Sequence, residues 1–388
     1  MILTICASCA APLPHCSAKQ CSRCKTRYCG LACQKQHWEE GGHDKLCRKI
    51  KKGGGAEQYY ANEKYAEAVA VAAEACAEDT KGQTCYICTE AVHWKTKEGL
   101  VRMCACRGTA GFVHVSCLAE QAKILVAEAK ENHLDLVPRW ARWNTCGMCE
   151  QKYHGVVRCA LGWACWKAHL GRPEADQLRR IAMTELGNGL QNGGHYEVAL
   201  SVEEAYLAML RRLGESESHI LVAQGNLAGT YYALGRVEDA IPIERDVYFG
   251  RLKLCGKEHK ETLRAAFNYA LSLLNLKRYE EARSVLRKTI PVAPNVLGER
   301  DELTLKINWN YPMTLYNDDG STLGDLREAV TTLERTALTA RRVLGSAHPT
   351  TAGIKAALRG SRAALCAREK SAVSSICEAV KVMTPRGA

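Results

Sequence analysis

The chain has 388 residues, enough for two or three domains, and 21 of them are cysteine. It shows neither an N-terminal signal-peptide pattern nor an apolar run long enough to cross a bilayer. We therefore expect a soluble protein of the cytoplasm or nucleus, or both, with no membrane partner. Disulfides are rare in these reducing compartments, so closely spaced cysteines indicate metal ligands rather than the disulfides of a secreted scaffold.

The cysteines are unevenly distributed along the chain. Sixteen precede residue 150, two more are Cys159 and Cys165, and only three follow, at Cys255, Cys366 and Cys377. This distribution predicts a front region built around metal ions and a back region held together by an ordinary hydrophobic core.

The formal net charge of +11 counts every cysteine as neutral. Zinc-bound thiols are deprotonated, so two domains with two zinc ions and seven thiolates each lower that charge to about +5. We therefore do not expect a nucleic-acid partner. One basic cluster remains, and it is either a phosphate-binding or nuclear-import segment or the solvated entrance to a glycine linker. It comprises Lys45, Arg48, Lys49, Lys51 and Lys52.

Four closely spaced pairs of metal-ligating residues lie in the first 47 residues. They are Cys6 and Cys9, Cys21 and Cys24, Cys29 and Cys33, and His43 and Cys47. Each spacing lets a tight turn direct two ligands at one tetrahedral ion, so eight ligands predict two zinc ions. The spacing does not show which pairs share an ion.

This first segment resembles the MYND zinc finger through Tyr28-Cys29, Cys33-Gln34, Trp38 and the closing histidine-cysteine pair. The resemblance implies interleaved ligands. One set would be Cys6, Cys9, Cys29 and Cys33, and the other Cys21, Cys24, His43 and Cys47. It also implies that the surface around Tyr28, Gln34 and Trp38 binds short proline-containing peptides, whereas the alternative is a module that only folds.

Four further pairs follow a glycine-rich linker and a predicted helix over residues 56–78. They are Cys85 and Cys88, Cys104 and Cys106, His114 and Cys117, and Cys146 and Cys149. These pairs predict two more zinc ions, four in all. A PHD finger has the same ligand order, but its second pair is wider and lies closer to the histidine.

The one-residue gap in Cys104-x-Cys106, followed by Arg107-Gly108-Thr109, resembles the RING-CH (variant RING) domain of ubiquitin ligases. The resemblance implies that Cys85, Cys88, His114 and Cys117 hold one zinc. Cys104, Cys106, Cys146 and Cys149 would hold the other. It also implies that a ubiquitin-conjugating enzyme docks on the apolar residue inside the first pair, here Ile87.

Two positions depart from that family pattern. Gln121 stands where the family usually has tryptophan, and Glu150 stands where many active RING domains have a basic residue. Both departures bear on catalysis rather than on the fold.

Other candidate ligands are interpreted as non-ligands, and a fifth zinc site is not expected. These residues are Cys16 beside His15, His37, His154, Cys159, Cys165 and His169.

The rest of the chain shows a helical repeat. Turn glycines recur at Gly214, Gly256, Gly298 and Gly345, a period of about 42 residues with a short insertion in the last interval. Over residues 185–360 the units resemble the long tetratricopeptide repeats of kinesin light chains. The shared Gly-x-x-His-x-x-Thr connector begins at Gly256 and again at Gly345.

Asn226, Asn268 and Asn310 occupy one place in successive repeats. Because asparagine is a mediocre helix former, its recurrence calls for a reason. The resemblance implies a grip on the backbone of a bound peptide, and the alternative is a hydrogen bond between helices.

The predicted architecture is two small cross-braced zinc domains followed by an all-α repeat solenoid. The predicted domains are a MYND-type finger at 1–52, a linker and helix at 53–82, a RING-CH-type finger at 83–172 and a repeat domain at 176–375. Two functions remain open. One is a ubiquitin ligase that recruits a conjugating enzyme and, through its repeats and first finger, client proteins. The other is a non-catalytic adaptor. A methyltransferase is excluded because no cofactor-binding segment is recognisable.

Overall fold

The computed structural model describes residues 6–11, 13, 18–346 and 348–383, with side chains up to residue 374. It divides into two compact units, Met1–Ser216 and Glu217–Ala388. In the described residues one two-stranded sheet accompanies sixteen α-helices. The predicted fold class, small zinc-type domains followed by helical repeats, is confirmed.

The first unit begins with very little regular structure. Strands β1 (Lys19–Gln20) and β2 (Arg27–Tyr28) pair antiparallel, and helices α1 (Leu31–Glu39) and α2 (His43–Lys52) follow. The small core contains Tyr28 and Ile50, both fully buried, among the cysteines. So few apolar side chains cannot stabilise a fold of this size, and metal binding is the usual remedy. The basic cluster is exposed, with all five of its side chains on α2.

The long helix α3 (Ala56–Ala75) corresponds to the predicted helix over residues 56–78. After the second group of cysteines come α4 (Val115–Glu131), α5 (Leu136–Trp140), a short 3-10 helix (Ala141–Trp143) and α6 (Gly155–His169). Helix α6 is buried on nearly every side and packs on both α3 and α4. It is therefore the central support of this unit.

Helices α7 (Gln177–Asn192) and α8 (Tyr196–Arg212) also belong to the first unit, whereas the sequence places the start of the repeat domain at 176. The reason is the close contact between α6 and α7. A Cβ atom on Gly162 would lie only 3.0 Å from the Glu185 carbonyl oxygen. The buried Arg158 guanidinium bonds to the Glu185 carboxylate, which also accepts from Asn144 Nδ2 over 3.1 Å.

The second unit is a series of helices that pack on their neighbours. They are α9 (Glu217–Ala233), α10 (Val237–Cys255), α11 (Lys260–Asn275), α12 (Tyr279–Thr289), α13 (Ala293–Leu297), α14 (Glu302–Tyr316), α15 (Leu323–Leu344) and α16 (Pro349–Met383). Within this unit, Gly256, Gly298 and Gly345 end helices with φ between 77° and 96°. Residues with side chains rarely adopt such φ values, which explains the periodic glycines. No helix in the described part of the chain combines the length and apolarity that a bilayer-spanning segment needs.

Candidate zinc centres and partner surfaces

The structure gathers the sixteen predicted zinc ligands into four groups. Within each group one ligand atom per residue lies within 4.8 Å of all the others. The groups are Cys6, Cys9, Cys29 and Cys33; Cys21, Cys24, His43 and Cys47; Cys85, Cys88, His114 and Cys117; and Cys104, Cys106, Cys146 and Cys149. In both regions the first pair joins the third and the second joins the fourth. This is the interleaved arrangement that the resemblances imply.

The distances within the groups suit a tetrahedral zinc ion. Zinc–sulfur bonds of about 2.3 Å place two sulfurs about 3.8 Å apart. The Sγ atoms of Cys9 and Cys29 are 3.6 Å apart, those of Cys21 and Cys47 are 3.7 Å apart, and those of Cys106 and Cys146 are 3.8 Å apart. The donor set of thiolates with one or no imidazole is that of a structural zinc site.

The two histidines direct different ring nitrogens at their groups. His43 Nε2 lies 3.4 Å from Cys24 Sγ, and His114 Nδ1 lies 3.3 Å from Cys88 Sγ. Burial lowers the pKa of both imidazoles. This favours the neutral form, which is the one that binds metal.

Backbone N–H groups at the tight turns point at the cysteine sulfurs. The N–H of Ile87 lies 3.4 Å from Cys85 Sγ, and the N–H of Met148 lies 3.4 Å from Cys146 Sγ. Such donors favour the thiolate over the thiol, and the thiolate is the form that binds zinc. The two-residue spacing in the sequence therefore supplies both the ligands and part of their electrostatic support.

The residues interpreted as non-ligands lie outside the four groups or outside the described residues. The His37 ring nitrogen Nδ1 is 3.1 Å from the Tyr28 hydroxyl. Cys159 and Cys165 are buried on α6, where burial raises the pKa of both thiols, that of Cys159 to about 11. His169 Nδ1 lies 2.9 Å from the Cys165 carbonyl oxygen. Cys16 falls outside the described residues.

The predicted peptide surface of the first segment needs one correction. Tyr28 is fully buried, because its ring packs among the cysteines and edge-on to His43. Trp38 is 43% exposed and Leu31 is 67% exposed, and both lie on α1. The accessible apolar surface is therefore formed by side chains of α1, and Tyr28 belongs to the buried core instead.

The repeat connector has a physical basis in the second unit. His259 Nδ1 accepts a hydrogen bond from the Glu261 N–H at the start of α11, and Thr262 Oγ1 donates to the Gly256 carbonyl oxygen over 2.8 Å. A third connector, which the sequence pattern missed, starts at Gly298. There Asp301 replaces the histidine as the cap, and Thr304 donates to Gly298 over 2.9 Å.

The three repeated asparagines do not share one environment. Asn226 on α9 and Asn268 on α11 are half-buried. Asn310 on α14 is only 3% exposed, and its Nδ2 has no hydrogen-bond partner among the described residues. A role in peptide binding stays a prediction for Asn226 and Asn268, whereas the burial of Asn310 argues against that role at this position.

Two family models match the chain. Residues 85–150 match the RING-variant domain, and residues 220–261 match the tetratricopeptide repeat. The chain contains a RING-variant domain. Its matched span starts at Cys85 and ends one residue after Cys149, so it includes both of the later ligand groups. Together the two families indicate a zinc-binding protein that interacts with other proteins.

Similar solved structures include a putative kinesin light chain from Podosopora anserina with nearly identical TPR-like repeats. It is 20% identical, covers 59% of this chain and 97% of its own, and has a TM-score of 0.40. BtubC (BKLC) from P. vanneervenii is 13% identical, covers 71% and 93%, and has a TM-score of 0.41. A Rap protein complexed with Competence and Sporulation Factor is 16% identical, covers 64% and 65%, and has a TM-score of 0.36. No curated protein matches the sequence.

The RING-variant domain presents its predicted docking residue at the surface. Ile87 is 37% exposed, between two residues of the third ligand group. Glu150 is exposed directly after the last ligand, with φ of 57°. Gln121 is half-buried on α4.

Two polar contacts that the sequence did not predict stabilise the domain. Glu98 accepts hydrogen bonds from the Ser116 N–H over 2.6 Å and from its hydroxyl over 2.8 Å, at the start of α4. Arg102 bonds to Asp79 through Nη2 over 2.5 Å and donates to the Gly108 carbonyl oxygen over 2.7 Å. Glu98 and Ser116 are 18 residues apart in the sequence, and Arg102 and Asp79 are 23 apart, so no local pattern indicates these two pairs.

Proposed function

We propose that this protein is a RING-type ubiquitin ligase whose two zinc regions hold four zinc ions. The observation that carries the proposal is the position of Ile87. Its backbone is fixed between Cys85 and Cys88, and its side chain remains accessible to a partner.

The zinc ions would be structural. The four groups contain fourteen cysteines and two histidines, so each ion has four protein ligands. A site with four protein ligands leaves no open position for a substrate, unlike a catalytic zinc site. The metal would fix the turns that carry Ile87 and Glu150 and would take no part in bond making.

The proposed catalysis is positioning. A conjugating enzyme that carries ubiquitin as a thioester would dock on the Ile87 surface, and a client lysine would attack the thioester. Holding reactants in a productive geometry lowers a barrier without any covalent contribution from the ligase. No residue of this chain needs to act as nucleophile or base.

Clients would be bound by the other regions. The MYND-type finger, residues 1–52, would bind peptides through Leu31, Gln34 and Trp38 on α1. The tetratricopeptide repeats would bind peptides through Asn226 and Asn268. The proposed domain boundaries are those predicted from the sequence: a linker and helix at 53–82, a RING-CH-type finger at 83–172 and a repeat domain at 176–375. Helices α7 and α8 nevertheless pack with the first unit.

A non-catalytic adaptor is the second candidate, and Glu150 favours it. Its side chain is exposed where active RING domains place a hydrogen-bond donor, and a carboxylate cannot donate. In this alternative the RING-variant domain organises contacts only.

The deciding experiment is lysine-directed discharge of ubiquitin from a panel of charged conjugating enzymes. We expect acceleration by the wild-type protein and none by Ile87→Ala. Val137→Ala serves as the matched control, since Val137 is 75% exposed on α5 of the same unit. If the wild type never exceeds the protein-free rate, the ligase proposal is wrong and the adaptor remains.

A further inference from the structure

A tryptophan that the family pattern does not include lies beside the docking residue. Trp94 is 67% exposed in the loop between the first two cysteine pairs of the RING-variant domain. It lines a groove of about 690 Å³ together with Ile87, Gln121 and Ile124. Ile124 is itself 50% exposed. Large apolar side chains clustered at the surface mark a binding site for another molecule.

The loop that carries Trp94 is held by hydrogen bonds at its base. His93 N–H donates to the Glu98 carbonyl oxygen over 3.0 Å, and Lys97 N–H donates back to the His93 carbonyl oxygen over 2.9 Å. His93 Nδ1 accepts from the Thr96 N–H over 3.1 Å. The Glu98 side chain then joins the loop to Ser116 at the start of α4. Trp94 is thus presented by an anchored turn, which limits the entropy lost on binding.

Gln121 lies in the same groove as Trp94. The family resemblance expects a tryptophan at position 121, where this chain has an amide. We infer that Trp94 supplies the aromatic wall of the docking groove in place of residue 121. A conjugating enzyme would then insert an apolar loop side chain between Ile87 and Trp94. The inference rests on the proposed ligase function and assigns that function a specificity residue.

The charges around the groove restrict the partner further. Three lysines line it, Lys95, Lys123 and Lys167, against the single carboxylate of Glu120. Glu120 is already paired with Lys123 over 3.1 Å. The rim is therefore positive, and it suits a conjugating enzyme with acidic side chains beside its apolar docking loop.

The test combines a loss, a rescue and a spectroscopic signal. The probes are purified conjugating enzymes of differing docking-face charge, and affinity is measured by calorimetry with the full-length zinc-loaded protein. Trp94→Ala should weaken binding by roughly tenfold or more, as expected for an aromatic anchor. Adding Gln121→Trp to that variant should restore most of the affinity. Val137→Ala is the matched control, since Val137 is an exposed apolar side chain on α5, outside the groove.

Fluorine NMR of protein labelled with 5-fluorotryptophan gives a readout that a merely structural role would not change. Among the seven tryptophans, the Trp94 signal should shift on addition of the enzyme while the Trp38 signal does not. Lys95→Glu should lower affinity most for the enzymes with an acidic docking face.

The failures are distinguishable. If Ile87→Ala loses binding but Trp94→Ala binds like wild type, the groove assignment is overturned and the ligase proposal stands. If no conjugating enzyme binds the wild-type protein, both fail together. A Trp94→Ala variant that loses zinc or helical signal is replaced by Trp94→Gln, which must show the same loss and the same rescue.

Discussion

The hydroxyl of Thr262 donates to the carbonyl oxygen of Gly256 and so ties the start of α11 to the glycine that ends α10. Thr262 is only 2% exposed, so water cannot replace this bond. We expect Thr262→Val, which keeps the shape and removes the donor, to destabilise the second unit by about 1 kcal/mol. For a unit of this size the melting temperature should fall by about 2–4 °C.

The control for Thr262→Val is Thr331→Val, because Thr331 is exposed and bonds only within its own helix, to the Arg327 carbonyl oxygen. An equal shift in both variants would contradict a special role for the connector. Thr304→Val should behave like Thr262→Val, since Thr304 makes the same bond to Gly298.

The connectors also show how far the sequence could predict the structure. Two were predicted because histidine and threonine recur at fixed distances from glycine. The third was missed because Asp301 performs the same capping with a different side chain. A sequence pattern indicates a capping hydrogen bond only when the same residue types recur. The same hydrogen-bond geometry can, however, be formed by several residue types.

The candidate zinc ligands were predictable as pairs, because ligand spacing is local, but spacing alone left their grouping open. The resemblances supplied the interleaved grouping, and the structure brings those sets together. The packing of α7 on α6 could not be predicted. It depends on Gly162, and on the buried contact of Arg158 with Glu185, whose partners are distant in sequence. Trp94 was missed because its role depends on which residues share its groove.

The metal content of the purified protein should be four zinc ions per chain, by elemental analysis. His43→Ala should remove one ion, because the second group would keep only three ligands. Replacing Cys159 and Cys165 by alanine should leave the ratio at four. A measured content of two zinc ions per chain or fewer would contradict the proposal that both regions bind zinc.

The asparagines of the repeats should separate into two classes. Asn226→Ala with Asn268→Ala should weaken binding of peptides selected by the wild-type protein from a displayed library, with little change in melting temperature. Asn310→Leu should instead raise the melting temperature, because it removes a buried N–H donor that has no partner. A large stability loss in the first variant would favour the alternative role in helix packing.

The second unit should be more stable at pH 5 than at pH 8 because of Glu244. Burial raises the pKa of this carboxyl to about 7, although the Ser272 hydroxyl opposes the shift. A raised pKa means that the folded state favours the protonated form. This contribution is complete below the unfolded pKa and is lost as the pH rises through about 7. The shift corresponds to roughly 3 kcal/mol at most.

Urea unfolding followed by circular dichroism at pH 5 and pH 8 measures the effect of Glu244. Glu244→Gln should be more stable than wild type at pH 8 and should show a smaller difference between the two pH values. If the variant retains the full wild-type difference, another group is responsible.

Glu150 should limit the rate of the proposed ligase. In active RING domains the basic side chain after the last zinc ligand donates charge-assisted hydrogen bonds to the conjugating enzyme and ubiquitin, each worth about 1.5–3 kcal/mol. Glu150 is exposed and cannot donate. We expect Glu150→Arg to raise ubiquitin discharge by roughly tenfold, the effect of about 1.4 kcal/mol on a barrier. Glu131→Arg, at the exposed end of α4, adds the same charge away from the site and should leave the rate unchanged. Equal acceleration by both variants would show a general charge effect. If Ile87→Ala inactivates the protein but Glu150→Arg does not accelerate discharge, the hydrogen-bond donor comes from another residue. Lys152 is the nearest candidate in the sequence.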